Sequence, residues 1–204
     1  MFSKAIVRIP GKSLINGLTD SEYLGSPDYS QAIIQHKQYV EALKLCGLQV
    51  TVLESCEEYP DSTFVEDVAL ITPKCAIITR PGAQSRRGEI EQIEPVLKSE
   101  MSKVEHIKSP GTIEAGDIMM VGNHYYIGLS DRTNAQGAEQ MIAILNKYGY
   151  TGSTVELNDV LHLKTGLSYL ENNMLAICGE FKNDPVFSAY EHIEISDKES
   201  YAAN

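Results

Sequence analysis

The sequence predicts a mixed α/β protein assembled from copies of one module, in which two short strands, a helix and a third strand follow one another. Two observations favour this fold. Stretches of the chain fall into register when the sequence is shifted by about 50 residues, and each stretch shows the same order of apolar runs, turn residues and helical spacing. At about 50 residues for each module, 204 residues correspond to about four modules.

The first module begins with the apolar run AIVRI, which predicts a strand. A helix is predicted from about Ser30 to Cys46, because Ile33, His36 and Val40 recur at helical spacing. Gly47 ends this helix, and the run LQVTVLE predicts the next strand.

The later modules repeat one order of elements. A first strand (VALI, IMMV, LSYL) and a second strand (CAIIT, YYIGL, MLAICG) are joined by the turn pairs Thr72-Pro73, Gly122-Asn123 and Asn172-Asn173. Helices are predicted at EIEQIEPVLKS and EQMIAILNKYG, and the third strands at KVEHIKS and STVELN. The fourth module has the short segment DPVFSAY where the others have a helix, and then the strand HIEIS. A ring of such modules has no free strand edge only when it is closed.

Composition excludes several classes of protein. With 43% apolar and 22% charged residues the chain can bury a core, and no apolar run reaches the roughly 18 residues of a transmembrane helix. The net charge of −11 argues against nucleic acid or an anionic membrane surface as partner. The N-terminal apolar stretch is too short and interrupted for a secretory signal, so we expect a cytoplasmic protein.

Acidic residues cluster where the first strands of two modules begin. Asp61, Glu66 and Asp67 precede VALI, and Glu114 and Asp117 precede IMMV one period later. Converging carboxylates can bind a metal, transfer protons or hold a planar cation, or they can simply order the turn that starts each strand. A metal site would need further ligands at nearby spacing, and the sequence shows none.

Three basic residues lie in other loops. Arg86 and Arg132 could grip an acidic group of a ligand, because guanidinium is a fork that matches carboxylate. They could equally neutralise the acidic clusters or cap helix ends. His162 lies between two leucines, which is typical of a core residue, although histidine also has the right pKa for proton transfer near neutrality.

Taken together, these stretches resemble a known family. PDSTFVEDVALI, ITRPGAQSRR, TIEAGDIMMVG, YYIGLSDRTNAQGAE and LHLKTGLSYL are similar, in this order, to dimethylarginine dimethylaminohydrolases. These belong to the guanidino-modifying pentein superfamily with arginine deiminases and amidinotransferases. The resemblance implies a pentein-type α/β propeller of ββαβ modules with pseudo-fivefold arrangement. Residues 1–204 would then form a single catalytic domain that stops before the fifth module.

The resemblance also implies roles for single residues. His162 would be the general acid/base, assisted by Glu114. Asp61, Glu66 and Asp67 would contact the guanidinium and α-amine of the substrate, and Arg86 and Arg132 would receive its α-carboxylate. Leu18, in the loop GLTDSEYLGS, would meet the α-amine through its backbone carbonyl.

The implied reaction is hydrolysis of dimethylarginine to citrulline and dimethylamine without metal or cofactor. In the family a cysteine thiolate attacks the guanidinium carbon, and histidine protonates the departing amine. That cysteine lies in the fifth module, and none of Cys46, Cys56, Cys75 and Cys178 has a matching context. We therefore expect the nucleophile outside these 204 residues and no activity from this chain alone. Arginine deiminase-like activity and an inactive guanidine-binding module remain alternatives, and a homodimer is implied by the family only.

Overall fold

Four small β-sheets organise the residues that the structure, a computed structural model, describes, which are 2–19 and 25–204. The chain divides into a first unit, Met1–Val65, and a second unit, Glu66–Asn204. Of the loop that carries Leu18, residues 20–24 lie outside the described part. Over the described ranges, no helix combines the length and the apolar character that crossing a bilayer requires.

The first unit contains one strand–helix–strand segment. Strand β1 (Lys4–Arg8), helix α1 (Tyr29–Leu45) and strand β2 (Gln49–Leu53) follow one another, and the two strands pair in parallel along their whole length. The side chain of Asp28 caps α1 by accepting a hydrogen bond from the Gln31 amide. The helix therefore lies within one residue of its predicted bounds.

The second unit contains three modules with a common topology. In each, an antiparallel pair of strands is followed by a crossover to a third strand that runs parallel to the second. The first module consists of β3 (Ala69–Ile71), β4 (Ala76–Ile78), α2 (Ile90–Glu100) and β5 (Val104–His106). The second consists of β6 (Ile118–Val121), β7 (His124–Leu129), α3 (Ala135–Lys147) and β8 (Thr151–Glu156). The third consists of α4 (Leu163–Gly166), β9 (Leu167–Tyr169), β10 (Met174–Ile177) and β11 (Glu191–Glu194). In the last module short 3-10 turns replace the crossover helix. The predicted mixed α/β fold is confirmed.

Two hydrophobic cores meet at strand β6. Its residue Ile118 belongs to a core with Tyr125 and Leu145, whereas the next residue, Met119, belongs to a core with Phe181. Successive side chains of a strand point to opposite faces, so β6 packs on both sides. The strand that follows Asp117 is therefore held from two directions.

The N-terminus of α3 is fastened to the segment that leads to Glu114. The Asn134 side chain accepts hydrogen bonds from the amides of Gly137 (2.8 Å) and Thr112 (3.0 Å). The Asn134 amide in turn donates to the Thr112 carbonyl at 3.0 Å. Gly137 makes this contact possible, because a Cβ there would lie 2.0 Å from the Thr112 carbonyl oxygen.

We predict that Gly137→Ala destabilises the protein although alanine favours helix. The added methyl would force α3 away from Thr112, at a cost of about 1–3 kcal/mol typical of overpacking. The midpoint of urea unfolding measures the effect. Ala143→Gly, at an exposed site of the same helix, is the matched control and should cost only about 1 kcal/mol through helix propensity. A Gly137→Ala variant as stable as the parent would contradict this packing.

Candidate active site

Polar side chains of the second unit lie where the first strand of each module begins. Asp67 comes two residues before β3, Asp117 directly before β6, and His162 directly before α4, which leads into β9. Asp67 and Asp117 are buried, as is Glu114 three residues before Asp117. The modular fold thus brings residues far apart in sequence into one cluster.

His162 is the centre of this cluster. Its Nε2 lies 3.4 Å from Glu114 Oε2 and 3.9 Å from Asp67 Oδ1, and its Nδ1 lies 3.3 Å from Asp117 Oδ1. Burial alone would lower the pKa of His162, but the three carboxylates outweigh burial and raise it. The three carboxylates therefore favour the protonated imidazole.

Glu114 is almost fully buried. One carboxylate oxygen accepts a hydrogen bond from the Ala83 amide at 3.2 Å, and the other faces His162. Burial and the neighbouring charge of Asp67 raise the pKa of Glu114. A carboxyl group of this kind is suited to share a proton with the imidazole.

Gly116 allows the segments around His162 to approach closely. Its amide donates to Asp67 Oδ1 at 3.0 Å. A Cβ at this position would lie 2.7 Å from that oxygen and 3.0 Å from the His162 ring. Only glycine fits between the two side chains without displacing them.

Arg86 is buried between carboxylates of the protein itself. It contacts Asp67 at 2.6 Å and forms a two-pronged pair with Glu89 at 2.9 and 3.0 Å, while Glu114 lies 3.9 Å away. Burial acts to lower the pKa of Arg86, but the hydrogen bonds to Glu89 and the charge of Asp67 outweigh burial, so the pKa lies above its ordinary value. The guanidinium thus neutralises the acidic cluster, the alternative that the sequence left open.

Arg132 lies in a turn next to this cluster. A Cβ on Gly82 would lie 2.4 Å from the Arg132 carbonyl oxygen, so the two backbones are in direct contact. Gly82 is followed by Ala83, whose amide binds Glu114. The side chain of Arg132 is half-buried. Contact of Arg86 or Arg132 with a substrate carboxylate stays a prediction.

The remaining predicted residues fall into two places. The Glu66 side chain is 63% exposed and pairs with Lys164 of α4, two residues after His162. In the first unit, the Leu18 amide donates to Asp61 Oδ1 at 2.9 Å, which brings these two predicted residues together. Asp61 is buried, whereas Leu18 is half exposed. Their contact with a substrate also stays a prediction.

The cluster also has the donor atoms for a cation. Nitrogen and oxygen atoms of Asp67, Glu114 and His162 lie within 4.8 Å of one another, a spacing that a divalent metal could use. The Arg86 guanidinium already contacts Asp67 and lies near Glu114. The same carboxylates could face a second planar cation, such as a substrate guanidinium.

Comparison with known proteins identifies the family. A family model described as "N,N dimethylarginine dimethylhydrolase, eukaryotic" matches residues 26–183. An N(G),N(G)-dimethylarginine dimethylaminohydrolase of Pseudomonas aeruginosa is 58% identical over 205 residues, which cover all of this chain and 80% of that protein. The chain belongs to the dimethylarginine dimethylaminohydrolase family.

Solved structures of the dimethylarginine dimethylaminohydrolase family agree. A cysteine-to-serine mutant of the Pseudomonas aeruginosa enzyme in complex with citrulline has a TM-score of 0.98 and 57% identity, and the match covers this whole chain and 80% of that one. A histidine-to-glycine mutant bound as an adduct to S-methyl-L-thiocitrulline has a TM-score of 0.97, with the same identity and coverage. This chain therefore spans about four fifths of these relatives.

Sequence reasoning assigned no site role to Glu89 and Lys164, and it assigned Asp117 no contact with His162. The sequence left Asp117 either as one of the converging carboxylates or as a residue that orders a turn, and it does order the turn by accepting hydrogen bonds from the hydroxyls of Ser130 and Thr133. It also faces His162. Glu89 was noted only as the start of a helix, and Lys164 was not singled out. The recurrence of an aspartate at the same position of two modules was the one signal that pointed to Asp117.

We predict that His162 stabilises the fold in acid more than in base. Its pKa is raised by folding, so its contribution is complete below the unfolded pKa of about 6.5 and is lost as pH rises through the folded pKa. The difference in unfolding free energy between the parent and His162→Gln should therefore shrink as pH rises above about 6.5.

Urea unfolding at a series of pH values measures this difference. His106→Gln is the matched control, since His106 forms a surface pair with Glu94 and is 40% exposed. A difference for His162→Gln that grows with rising pH would show that the carboxylates do not hold the imidazolium.

Proposed function

We propose that this chain supplies the proton-transfer and cation-contacting residues of a hydrolase that converts dimethylarginine to citrulline and dimethylamine. The observation that carries the proposal is the imidazole of His162, 14% exposed, with carboxylates against both ring nitrogens. Membership of the dimethylarginine dimethylaminohydrolase family supports the reaction, and the citrulline bound to the Pseudomonas aeruginosa relative supports the product.

The charge of the site suits a guanidinium substrate. Asp67, Glu89, Glu114 and Asp117 place four carboxyl groups around one guanidinium and one imidazole. A second planar cation beside Asp67 and Glu114 would offset the excess of negative charge, and paired charge-assisted hydrogen bonds would orient it. The guanidinium carbon would then lie near Nε2 of His162.

His162 would act first as an acid and then as a base. When a thiolate attacks the guanidinium carbon, Nε2 gives its proton to the departing dimethylamine, and a thiouronium ester of the enzyme remains. A water molecule then attacks the same carbon and gives a proton to Nε2. The thiolate leaves, and citrulline is released. The raised pKa of His162 supports the first step, because the neighbouring carboxylates favour the protonated ring.

The thiols of the second unit are poor candidates for the nucleophile. Cys75 lies in a hydrophobic core, and Cys178 is also buried. Burial raises the pKa of both thiols, which disfavours the reactive thiolate. We therefore propose that the nucleophile belongs to a segment outside these 204 residues. This chain covers 80% of the Pseudomonas aeruginosa relative.

The proposed contacts to the rest of the substrate follow the family. Arg132, and Arg86 if it exchanges a protein carboxylate for a ligand carboxylate, would hold the α-carboxylate. Asp61 and Leu18 would meet the α-amine, and Glu66 would contact the substrate from the rim. The contact of Leu18 with Asp61 and the position of Arg132 beside Gly82 are consistent with these roles.

We also propose that the modules surround the site as blades of a pentein-type propeller. The three modules of the second unit support this, since each begins its first strand beside a residue of the site. Blades related by a pseudo-fivefold axis would direct these equivalent positions into one central space.

We expect the intact natural gene product to release citrulline and dimethylamine in equal amounts from dimethylarginine. Its intact mass should exceed 22.5 kDa, whereas the 204-residue chain alone should bind citrulline without turnover. His162→Gln should lower the rate at least about 100-fold, the usual minimum contribution of a general acid/base. His106→Gln should leave the rate unchanged.

Citrulline assays with dimethylarginine and arginine side by side decide the substrate. Product from arginine alone would replace this proposal with a deiminase. Binding without turnover by the intact gene product would indicate a guanidine-binding protein, and failure to bind either compound would overturn the proposal altogether.

A further inference from the structure

Asp117 is fully buried next to Nδ1 of the His162 ring and is surrounded by hydrogen-bond donors. Its Oδ2 accepts hydrogen bonds from the hydroxyls of Ser130 (2.7 Å) and Thr133 (2.6 Å). Its Oδ1 accepts from the Leu163 amide at 3.0 Å and lies 3.3 Å from His162 Nδ1. Both oxygens of Asp117 thus act as hydrogen-bond acceptors.

We propose that Asp117 is a positioning residue that keeps the proton of neutral His162 on Nδ1, so that Nε2 is the nitrogen that takes up and releases protons in the site. The proposal rests on the role of His162 as general acid/base given above. A histidine that exchanges protons must present one chosen nitrogen, and the partner of the other nitrogen sets that choice.

Asp117 and Glu114, the two carboxyl groups beside the ring, differ in their hydrogen bonding as this assignment requires. Asp117 is held as an acceptor by two hydroxyls and an amide. Within the described residues, Glu114 Oε2 receives no hydrogen bond, although it lies 3.4 Å from Nε2. His162 Nδ1 likewise makes no hydrogen bond of standard geometry, although it lies 3.3 Å from Asp117 Oδ1. Burial and the charge of Asp67 raise the pKa of Glu114, so this group can give and take a proton. The fixed proton therefore belongs on Nδ1 and the exchangeable one on Nε2.

Asp117 also anchors the turn that carries Arg132. The Ser130 hydroxyl that donates to Asp117 accepts hydrogen bonds from the amides of Arg132 (3.0 Å) and Thr133 (3.2 Å). One carboxylate therefore fixes both the imidazole and the backbone of Arg132. The same side chain sets the distance between the proton-transfer group and the arginine proposed to hold the far end of the substrate.

The test is the tautomer of neutral His162, read from imidazole ¹⁵N shifts and long-range ¹H–¹⁵N couplings in the histidine-labelled chain. Spectra are recorded at a pH above the titration of His162, and loss of signals in His162→Gln assigns the ring among the five histidines. We expect the Nδ1–H form to account for most of the parent protein. A predominant Nε2–H form in the parent would overturn the proposal without any variant.

The Asp117→Asn variant tests whether Asp117 is the cause of the Nδ1–H preference. An amide beside Nδ1 can donate to it, so we expect the ring to change to the Nε2–H form. Ser130→Ala is the matched control, since it removes one donor to Asp117 but keeps the carboxylate and should retain Nδ1–H. Retention of Nδ1–H in a folded Asp117→Asn variant would overturn the proposal. Because this readout requires no turnover, its failure is distinct from failure of the proposed hydrolase activity.

Discussion

The ion pairs of the buried Arg86 guanidinium are the constraint on which the site depends. Asp67 and Glu89 are both buried against it, and Glu114 lies within 4 Å. Carboxylates so close together would repel one another or become protonated without a cation between them. Removal of one partner from a buried pair typically costs about 3–5 kcal/mol, because the charge left behind is uncompensated. Arg86 therefore allows the protein to keep acidic groups beside His162, and the Asp67 contact continues through the Gly116 amide to the start of β6.

The modular topology explains how residues so distant in sequence come together. Asp67 and Asp117 each stand just before the first strand of their module, His162 stands before the short helix that leads into the first strand of the third, and the same kind of strand pair follows in every case. A repeated scaffold thus brings the segments before its first strands together, while the side chains that those segments supply differ. One module contributes a carboxylate bound to Arg86, the next a pair of carboxyl groups on either side of the ring, and the third the imidazole itself.

The fold and much of the site could be predicted from the sequence, for identifiable reasons. The strand pairs were readable because their apolar runs and turn residues recur at one spacing, and His162 and Glu114 were named through their family context. The internal pairing of Arg86 was not decided, because a guanidinium suits a protein carboxylate as well as a ligand carboxylate. The short helix α4 escaped prediction, since four residues carry no helical periodicity. The role of Asp117 depends on hydroxyls and an amide from two other segments, which only the folded chain brings together.

The packing of β6 between two cores has a consequence for how the family can vary in length. Ile118 and Met119 occupy different cores, so inserting or deleting one residue just before them would exchange the two side chains and disrupt both cores at once. The hairpin turn at Gly122-Asn123 lies beyond the packed pair and carries no such penalty. Length changes among relatives should therefore accumulate in the hairpin, while the spacing from Glu114 to Met119 stays constant. The two hydrophobic cores thus fix the length of the segment from Glu114 to Met119 and preserve its geometry without touching the substrate.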